Sequence, residues 1–404
     1  MGKLLRKKSN GLKIMVFILG VVLFLVLYPG KIIFAVSFDG YSEFVVGNIN
    51  KEETVFYYGT SIPEYLVFTE IKLDIKPKEK NWFKIESRYQ YDFVENKNQT
   101  FWDQLYLCYE KKNLKLSLGR QRVGIGVGYL WSAVNDIDLS KNVYEPAKYS
   151  EGVDCIKFNF DFTERCNTPT NYSVVCVFPE SYWRNFELPY YKVALWTYFL
   201  RAETELGFVC SFSKDEFFDN SILYGVYSSV DIFGTIIAGE ISLSKNPQKQ
   251  FFNDKGIFYR SNFLPRFLIN ANRRISSKSF LMIEYFYNGF GYSEEEIDSA
   301  IKLMENKSID VLQLLKNISI SNTSKEYLYA TISYELFDDI TLFVSVLYNI
   351  TSPSGFFYPK ISFSRISNLT LSLDWIKNFH YSQNNEFYFL PYNSYFKFSV
   401  SYYF

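Results

Sequence analysis

Residues 394–404 read Ser-Tyr-Phe-Lys-Phe-Ser-Val-Ser-Tyr-Tyr-Phe. Phe396, Phe398, Val400, Tyr402 and Phe404 share one parity, and Lys397, Ser399 and Ser401 share the other. A period of two is the side-chain repeat of a β-strand, so the stretch predicts a strand with one apolar and one polar face. The edge of a soluble β-protein carries the same pattern. The rest of the chain decides between the two settings.

From Phe38 onward the pattern recurs in segments of about ten residues. The cleanest is 83–93, with Phe83, Ile85, Tyr89, Tyr91 and Phe93 against Lys84, Glu86, Arg88, Gln90 and Asp92. Residues 64–76 repeat it, with Tyr65, Val67, Ile71, Leu73 and Ile75 against Glu70, Lys72 and Asp74. Further segments fall at 38–48, 101–111, 113–121, 152–162, 171–178, 190–200, 203–213, 220–230 and 234–244, then at 263–273, 278–289, 325–336, 339–350, 356–366, 368–378 and 394–404. That makes about 18 strands, with 16 inside the error of the count. Pro265 makes 245–273 the weakest part of the pattern. Tight connections (111–113, 201–202, 337–339) alternate with long ones (49–63, 122–151, 245–262, 290–324, 379–393), as in an up-and-down barrel, which leaves no free edge.

Composition fits such a wall. Aromatic residues make up 20% of the chain, with 40 Phe and 34 Tyr, more than one soluble core needs but natural for a lipid-facing surface and its two interfacial girdles. The 43 basic and 43 acidic residues cancel, which disfavours nucleic acid as a partner. At the N-terminus Lys3, Arg6, Lys7, Lys8 and Lys13 precede an apolar run at 14–28, Pro29-Gly30 and the small residue Ala35. This predicts a signal peptide over 1–35, cleaved after Ala35, with the barrel over 36–404. The run is shorter than the roughly 20 apolar residues of a spanning helix. The five cysteines are odd in number and fit no metal spacing, and Cys155 and Cys176 fall on opposite strand faces.

Two connections stand out. Ser293 precedes Glu294, Glu295 and Glu296, and Ile297, Ile301, Met304, Ile309, Leu312 and Leu315 recur at helical spacing. The pattern predicts a helical extracellular loop over 293–317, as one helix or two broken near Asn306. In 119–151, Gly119-Arg120-Gln121-Arg122 leads into Gly124, Gly126 and Gly128, then Leu130-Trp131. Glycine at every second position strips one face of side chains, so this loop is expected to fold inward. It is not a phosphate loop, because the glycine spacing is wrong and no helical pattern comes after it.

The segment 119–138 resembles porin-like bacterial outer-membrane barrels, including the alginate-export and related families, in which a strand ends in Gly-Arg-Gln and runs through glycines to an aromatic residue and Asn-Pro-x-Asp. Ser132-Ala133 stand where Asn-Pro would be, so no substrate carries over. Glu284-Tyr285-Phe286-Tyr287-Asn288-Gly289 is similar to a pattern of such barrels, and the closing strand with Phe404 resembles the assembly signal read by their insertion machinery. The resemblance implies an all-β transmembrane antiparallel barrel in the outer membrane. Membrane lipid, lipopolysaccharide and the barrel-assembly machinery are its implied partners.

No enzyme chemistry is expected. The single histidine, His380, has Ser382 and Asn378 near it but no orienting third group, and no cofactor or metal constellation is evident. Lys84, Glu86, Arg88, Asp92, Glu284 and Asp374 are expected to line the lumen, a mixed-sign lining, with Arg120 and Arg122 as a local cationic constriction. The reading is a channel for passive diffusion of small hydrophilic solutes. The alternatives are a barrel that anchors adhesive loops and, third, a secreted soluble β-sandwich.

Overall fold

A computed structural model of the chain describes residues 34–50, 65–77, 81–92, 97–137, 152–163, 168–178, 190–215, 220–245, 250–253, 256–260, 262–305, 323–365, 368–381 and 394–403; the side chains of residues 34–103 lie outside the description. The first half of the wall comprises β1 (Phe34–Asn50), β2 (Tyr65–Pro77), β3 (Asn81–Asp92), β4 (Lys97–Lys111), β5 (Leu114–Gln121), β6 (Val153–Asp161), β7 (Thr170–Val177), β8 (Tyr190–Arg201) and β9 (Thr204–Asp215). After β10 (Ser221–Ile232) and β11 (Thr235–Lys245), the small strands β12 (Gln250–Asn253) and β13 (Gly256–Tyr259) form a hairpin of their own. The wall resumes with β14 (Leu264–Ser276), β15 (Ser279–Asn288), β16 (Glu326–Phe337), β17 (Ile340–Asn349), β18 (Ser354–Phe363), β19 (Leu369–His380) and β20 (Ser394–Tyr403).

The wall strands form one 18-stranded sheet in which sequence neighbours pair antiparallel, with β11 passing directly to β14. The ring closes where β20 pairs with β1, from Tyr41↔Tyr403 to Asn50↔Ser394. Each wall strand therefore has a partner on both sides, which removes the edges that cannot exist in hydrocarbon. The segment count and the sheet agree. Pro265 is accommodated as the second residue of β14, opposite Leu243.

The two faces differ as the alternation requires. In β20, Phe396 and Phe398 are exposed, Phe398 at 42%, while Ser399 between the apolar positions is 1% exposed. Leu118, Phe158, Leu195, Tyr224, Ile241, Ile269, Ile283, Ile361 and Leu373 continue the exposed apolar series around the wall. The inner face carries many small polar groups, among them Ser211, Ser242, Ser345, Ser372, Asn270 and Asn288, all buried. An apolar outside and a polar inside is the reverse of a soluble sandwich and suits a wall immersed in lipid.

The two-residue turns gather at one end, together with the start of β1 and the end of β20. They include Ala202-Glu203, Ser277-Lys278, Asp338-Asp339 and Phe233-Gly234. Phe233 (φ 51°) and Gly234 (φ 76°) both take positive φ, the geometry of a two-residue hairpin turn matched to strand twist.

At the opposite end, the connection after β15 forms α1 (Glu294–Glu305). Ser293 Oγ accepts from Glu296 N (3.3 Å), and Glu296 Oε2 accepts from Ser293 N (2.9 Å), a reciprocal cap that defines the helix start. Residues 306–317 of the expected helical loop lie outside the described residues. Ile297 and Ala300 pack with Tyr292 against Phe251 and Phe252 of β12. Arg260 pairs with Glu296, and its guanidinium lies 4.1 Å from the Phe251 ring centroid. Burial in this cluster pushes the Tyr292 phenol well above its ordinary range, Glu296 adding to the shift and Arg260 opposing it.

Candidate functional site

After β5 the chain turns to the inner face of the ring. Val123, Ala133 and Val134 are fully buried there. Two wall carboxylates hold the described part of this inner loop, residues 122–137; residues 138–151 of the expected inward stretch lie outside the described residues. Glu240 on β11 accepts Val127 N (2.5 Å) and Gly128 N (2.8 Å) on Oε1. Its Oε2 accepts Ser132 Oγ (2.8 Å), Ala133 N (2.6 Å) and Val134 N (3.2 Å). Glu284 on β15 accepts Leu130 N (2.9 Å) and Trp131 N (3.0 Å) on Oε1, and Tyr129 N (2.6 Å) and Asn270 Nδ2 (2.9 Å) on Oε2. A loop lacks strand partners, so its backbone N–H groups need acceptors once water is excluded. Two carboxylates supply them, and charge-assisted bonds of this kind are about twice as strong as neutral ones.

Packing completes the attachment. The Trp131 ring stacks on Phe286 at 5.3 Å between centroids and meets Tyr327 at 5.5 Å, while Tyr129 stacks on Tyr329 at 6.2 Å. Val123, Ile125, Val134 and Ile137 pack into a second apolar cluster with Trp196, Val209 and Leu223. At Gly225 of β10 an added Cβ would strike Val134, so the wall is hollowed where the loop presses on it. Toward its end, Asp136 accepts Ser211 Oγ (3.1 Å) and sits 3.3 Å from Lys192 Nζ, and Ser242 Oγ donates to Ala133 O.

The glycines differ in what they do. Gly126 has φ +90°, and a Cβ there would run into the Glu240 carboxylate and Val134; a Cβ at Gly128 would strike the Trp131 carbonyl and Leu268. Gly124 faces open space. Two of the three alternating glycines are thus required by close approach.

The residues expected from sequence to line the lumen are placed variously. Glu284 is on the inner face but wholly buried, spent on the loop rather than presented to a passing solute. Asp374 is 1% exposed; its Oδ2 accepts Tyr358 OH (3.0 Å) and lies 3.7 Å from Lys360 Nζ and 3.6 Å from Lys397 Nζ. Arg120 shares the outward parity of Leu118, sits opposite Asp154 in register, lies 3.7 Å from it and donates from Nε to Gly152 O (3.1 Å). Arg122 is half-buried at the start of the loop. Lys84, Glu86, Arg88 and Asp92 fall on β3, and their side chains, like Phe404, lie outside the described residues. Among the described residues no His/Cys/Asp/Glu group is arranged to hold a metal ion. Replacing Arg120 by Ala is expected to leave ion preference in a planar bilayer unchanged and to cost no more than about 1 kcal/mol in unfolding. A shifted reversal potential would return it to the solute path.

Sequence reasoning missed Glu240, which accepts five hydrogen bonds from the loop. Its signal was present: it is the acid on the polar parity of 234–244, with Ala238, Ser242 and Ser244, against Ile237, Ile241 and Leu243. Gly225 carries no such signal, because its partner is remote in the chain.

No protein-family model matches the chain, and no curated protein matches it. Among solved structures, it is similar to a triple mutant of the Rhodopseudomonas blastica porin, at 10% identity and TM-score 0.45, covering 92% of this chain and 100% of that one. It is similar to Salmonella typhi OmpF in complex with daunomycin, at 9% identity and TM-score 0.49, covering 91% and 97%. OmpT, an outer membrane protein of Vibrio cholerae, aligns at 8% identity and TM-score 0.43, covering 92% and 99%.

Proposed function

We propose that the chain is an outer-membrane channel of the porin type, passing small hydrophilic solutes by diffusion through a lumen narrowed by the inner loop. The observation that carries the reading is the closed ring of 18 strands with an apolar outer face. Rings of about 16–18 strands are wider than their wall side chains can fill, and a loop drawn inside sets the remaining bore. The inner loop, held by Glu240 and Glu284, is placed to do that. Export begins with the signal peptide over 1–35. Cleavage after Ala35 removes only the first two β1 pairings, Phe34↔Pro77 and Ala35↔Lys76, and leaves Val36↔Ile75 onward intact.

A second reading is a sealed barrel that anchors surface loops. It is favoured by the apolar packing of the inner loop, which sets rings and aliphatic side chains against the inner wall. Planar-bilayer recording on the refolded chain separates the two. Stepwise current increments in 1 M KCl are the expected result, and a folded protein that inserts without any current overturns the channel.

A further inference from the structure

At the short-turn end β14 outruns its neighbour. Its ladder with β11 stops at Thr235↔Arg273, so Arg274, Ile275 and Ser276 continue past the β10–β11 turn. Arg273 has the outward parity of Ile269 and Ala271 and comes next after Ala271 on the lipid-facing side. Arg273 and Arg274 are both exposed, and neither has a hydrogen-bond or ion-pair partner among the described residues. Acidic side chains of the neighbouring turns are engaged elsewhere: Asp231 Oδ1 accepts Gly234 N (2.8 Å), and Asp338 lies 3.4 Å from Lys278 Nζ. Glu335 falls on the inward parity of β16, with Thr331 and Ser333. Ile275 on the overhang and Phe233 in the adjacent turn are exposed apolar side chains.

A furrow of small residues leads away from Arg273 over the outer face. It runs through Ala271 on β14, Gly239 on β11 and Ser228 on β10, which the pairings Ile237↔Ala271, Gly239↔Ile269 and Ser228↔Gly239 set along one diagonal. Ile237, Ile241 and Ile269, all exposed, stand along its sides. The wall itself does not require glycine at 239. An added Cβ there would meet only Leu268 O at 3.6 Å, an ordinary contact, and the backbone does not take positive φ. Glycine inside a strand weakens it and marks places where another group comes close. Ser228 Oγ donates to Glu205 O (2.8 Å), so its hydroxyl is satisfied within the wall. Four residue rises and two strand spacings make the furrow about 16 Å long. Half of a hydrocarbon core, the depth of one leaflet, is roughly 15 Å.

We propose that Arg273, Arg274 and this furrow form a seat for one anionic phospholipid of the leaflet on the short-turn side. The Arg273 guanidinium takes the phosphate, whose oxygens match its fork of donors, and one acyl chain lies along Ala271, Gly239 and Ser228. Arg274, one residue further on the overhang, adds a second uncompensated charge, which selects a headgroup with net negative charge over a zwitterionic one. The seat depends on the wall facing lipid and not on an open lumen, so it stands whether or not the ring conducts.

The test uses the full refolded chain in detergent, with phosphatidylglycerol and phosphatidylcholine of the same acyl chains as probes and native mass spectrometry as readout. The wild type is expected to retain one phosphatidylglycerol under conditions in which phosphatidylcholine is lost. Replacing Arg273 and Arg274 together by Ala is expected to weaken that retention about tenfold or more. Ala271→Leu keeps both charges and fills the furrow, and is expected to weaken it severalfold. Arg201→Ala is the matched control, because Arg201 is exposed at the short-turn end of β8 on the parity of Phe199 and has that ring, not a furrow, next to it on the outer face. No change is expected there. Equal retention of the two lipids by the wild type overturns the proposal without any variant. Unchanged retention by the double variant, with the heat-modifiable gel mobility of a folded barrel, overturns it too. So does an equal loss from Arg201→Ala, which would make total rim charge the cause. Unchanged retention by Ala271→Leu removes the furrow from the seat. Capture of polyglutamate in preference to phosphatidylglycerol, lost in the same double variant, would replace the lipid by an acidic protein segment.

Discussion

Replacing Glu284 with Ala is expected to free the inner loop from the β15 side of the wall. The substitution leaves the backbone N–H groups of Tyr129, Leu130 and Trp131, and the Asn270 amide, without their acceptor. An unsatisfied buried donor costs about 1–3 kcal/mol, and four donors lose their acceptor together. The ring does not depend on this contact, since its strands pair with one another, so the loss falls on the loop. Amide exchange at 129–131 is expected to accelerate by two orders of magnitude or more, at about 1.4 kcal/mol per tenfold, and single-channel conductance to rise. Glu284→Gln is expected to fall between, because one of its two acceptor oxygens becomes a donor facing Tyr129 N or Asn270. Protected exchange at 129–131 in the alanine variant would show that Trp131 stacking alone retains the loop.

The second large effect concerns the glycines. Gly126→Val places a β-branched residue at φ +90° and drives its Cβ into the Glu240 carboxylate and Val134. Backbone strain of this kind costs about 1–3 kcal/mol before the collision is counted. The collision also displaces the carboxylate that holds five donors of the loop. Loss of the loop's fold, or failure to assemble, is expected, with heat-modifiable gel mobility and amide exchange at 127–134 as readouts. Gly124→Val is the matched control. A Cβ there meets open space, and a change within about 0.5 kcal/mol is expected. Similar behaviour of the two variants would mean that glycine matters here for chain entropy and not for close approach.

Legibility from sequence varies with the range of the interaction involved. The closing strand could be read from 394–404 alone, because alternation within a strand is local and directly reports its two faces. The cap on α1 was equally legible, since Ser293 and Glu296 are three residues apart. The loop's inward course was suggested by Gly124, Gly126 and Gly128, yet periodicity could not tell the glycine facing open space from the two under contact. Glu284 was singled out as a lumen residue, but that its carboxylate would be consumed by a loop 153–155 positions away was beyond local pattern. Arg120 shows the opposite case. Its place beside glycines suggested a constriction, and the ladder with β6 instead sets it opposite Asp154 on the parity of Leu118.

The wall is therefore a property of the sequence alone: strand number, the face each strand turns to lipid, and the alternation of short and long connections. These come from a period of two and from turn chemistry, both of which act over a few residues. The interior is a property of the closed ring. Closure brings Glu240 and Glu284 to the same loop from two strands, and the spending of both carboxylates on its backbone N–H groups depends on distances across the barrel. Desolvation makes those distances matter, because inside the ring a buried donor or charge left without a partner is costly.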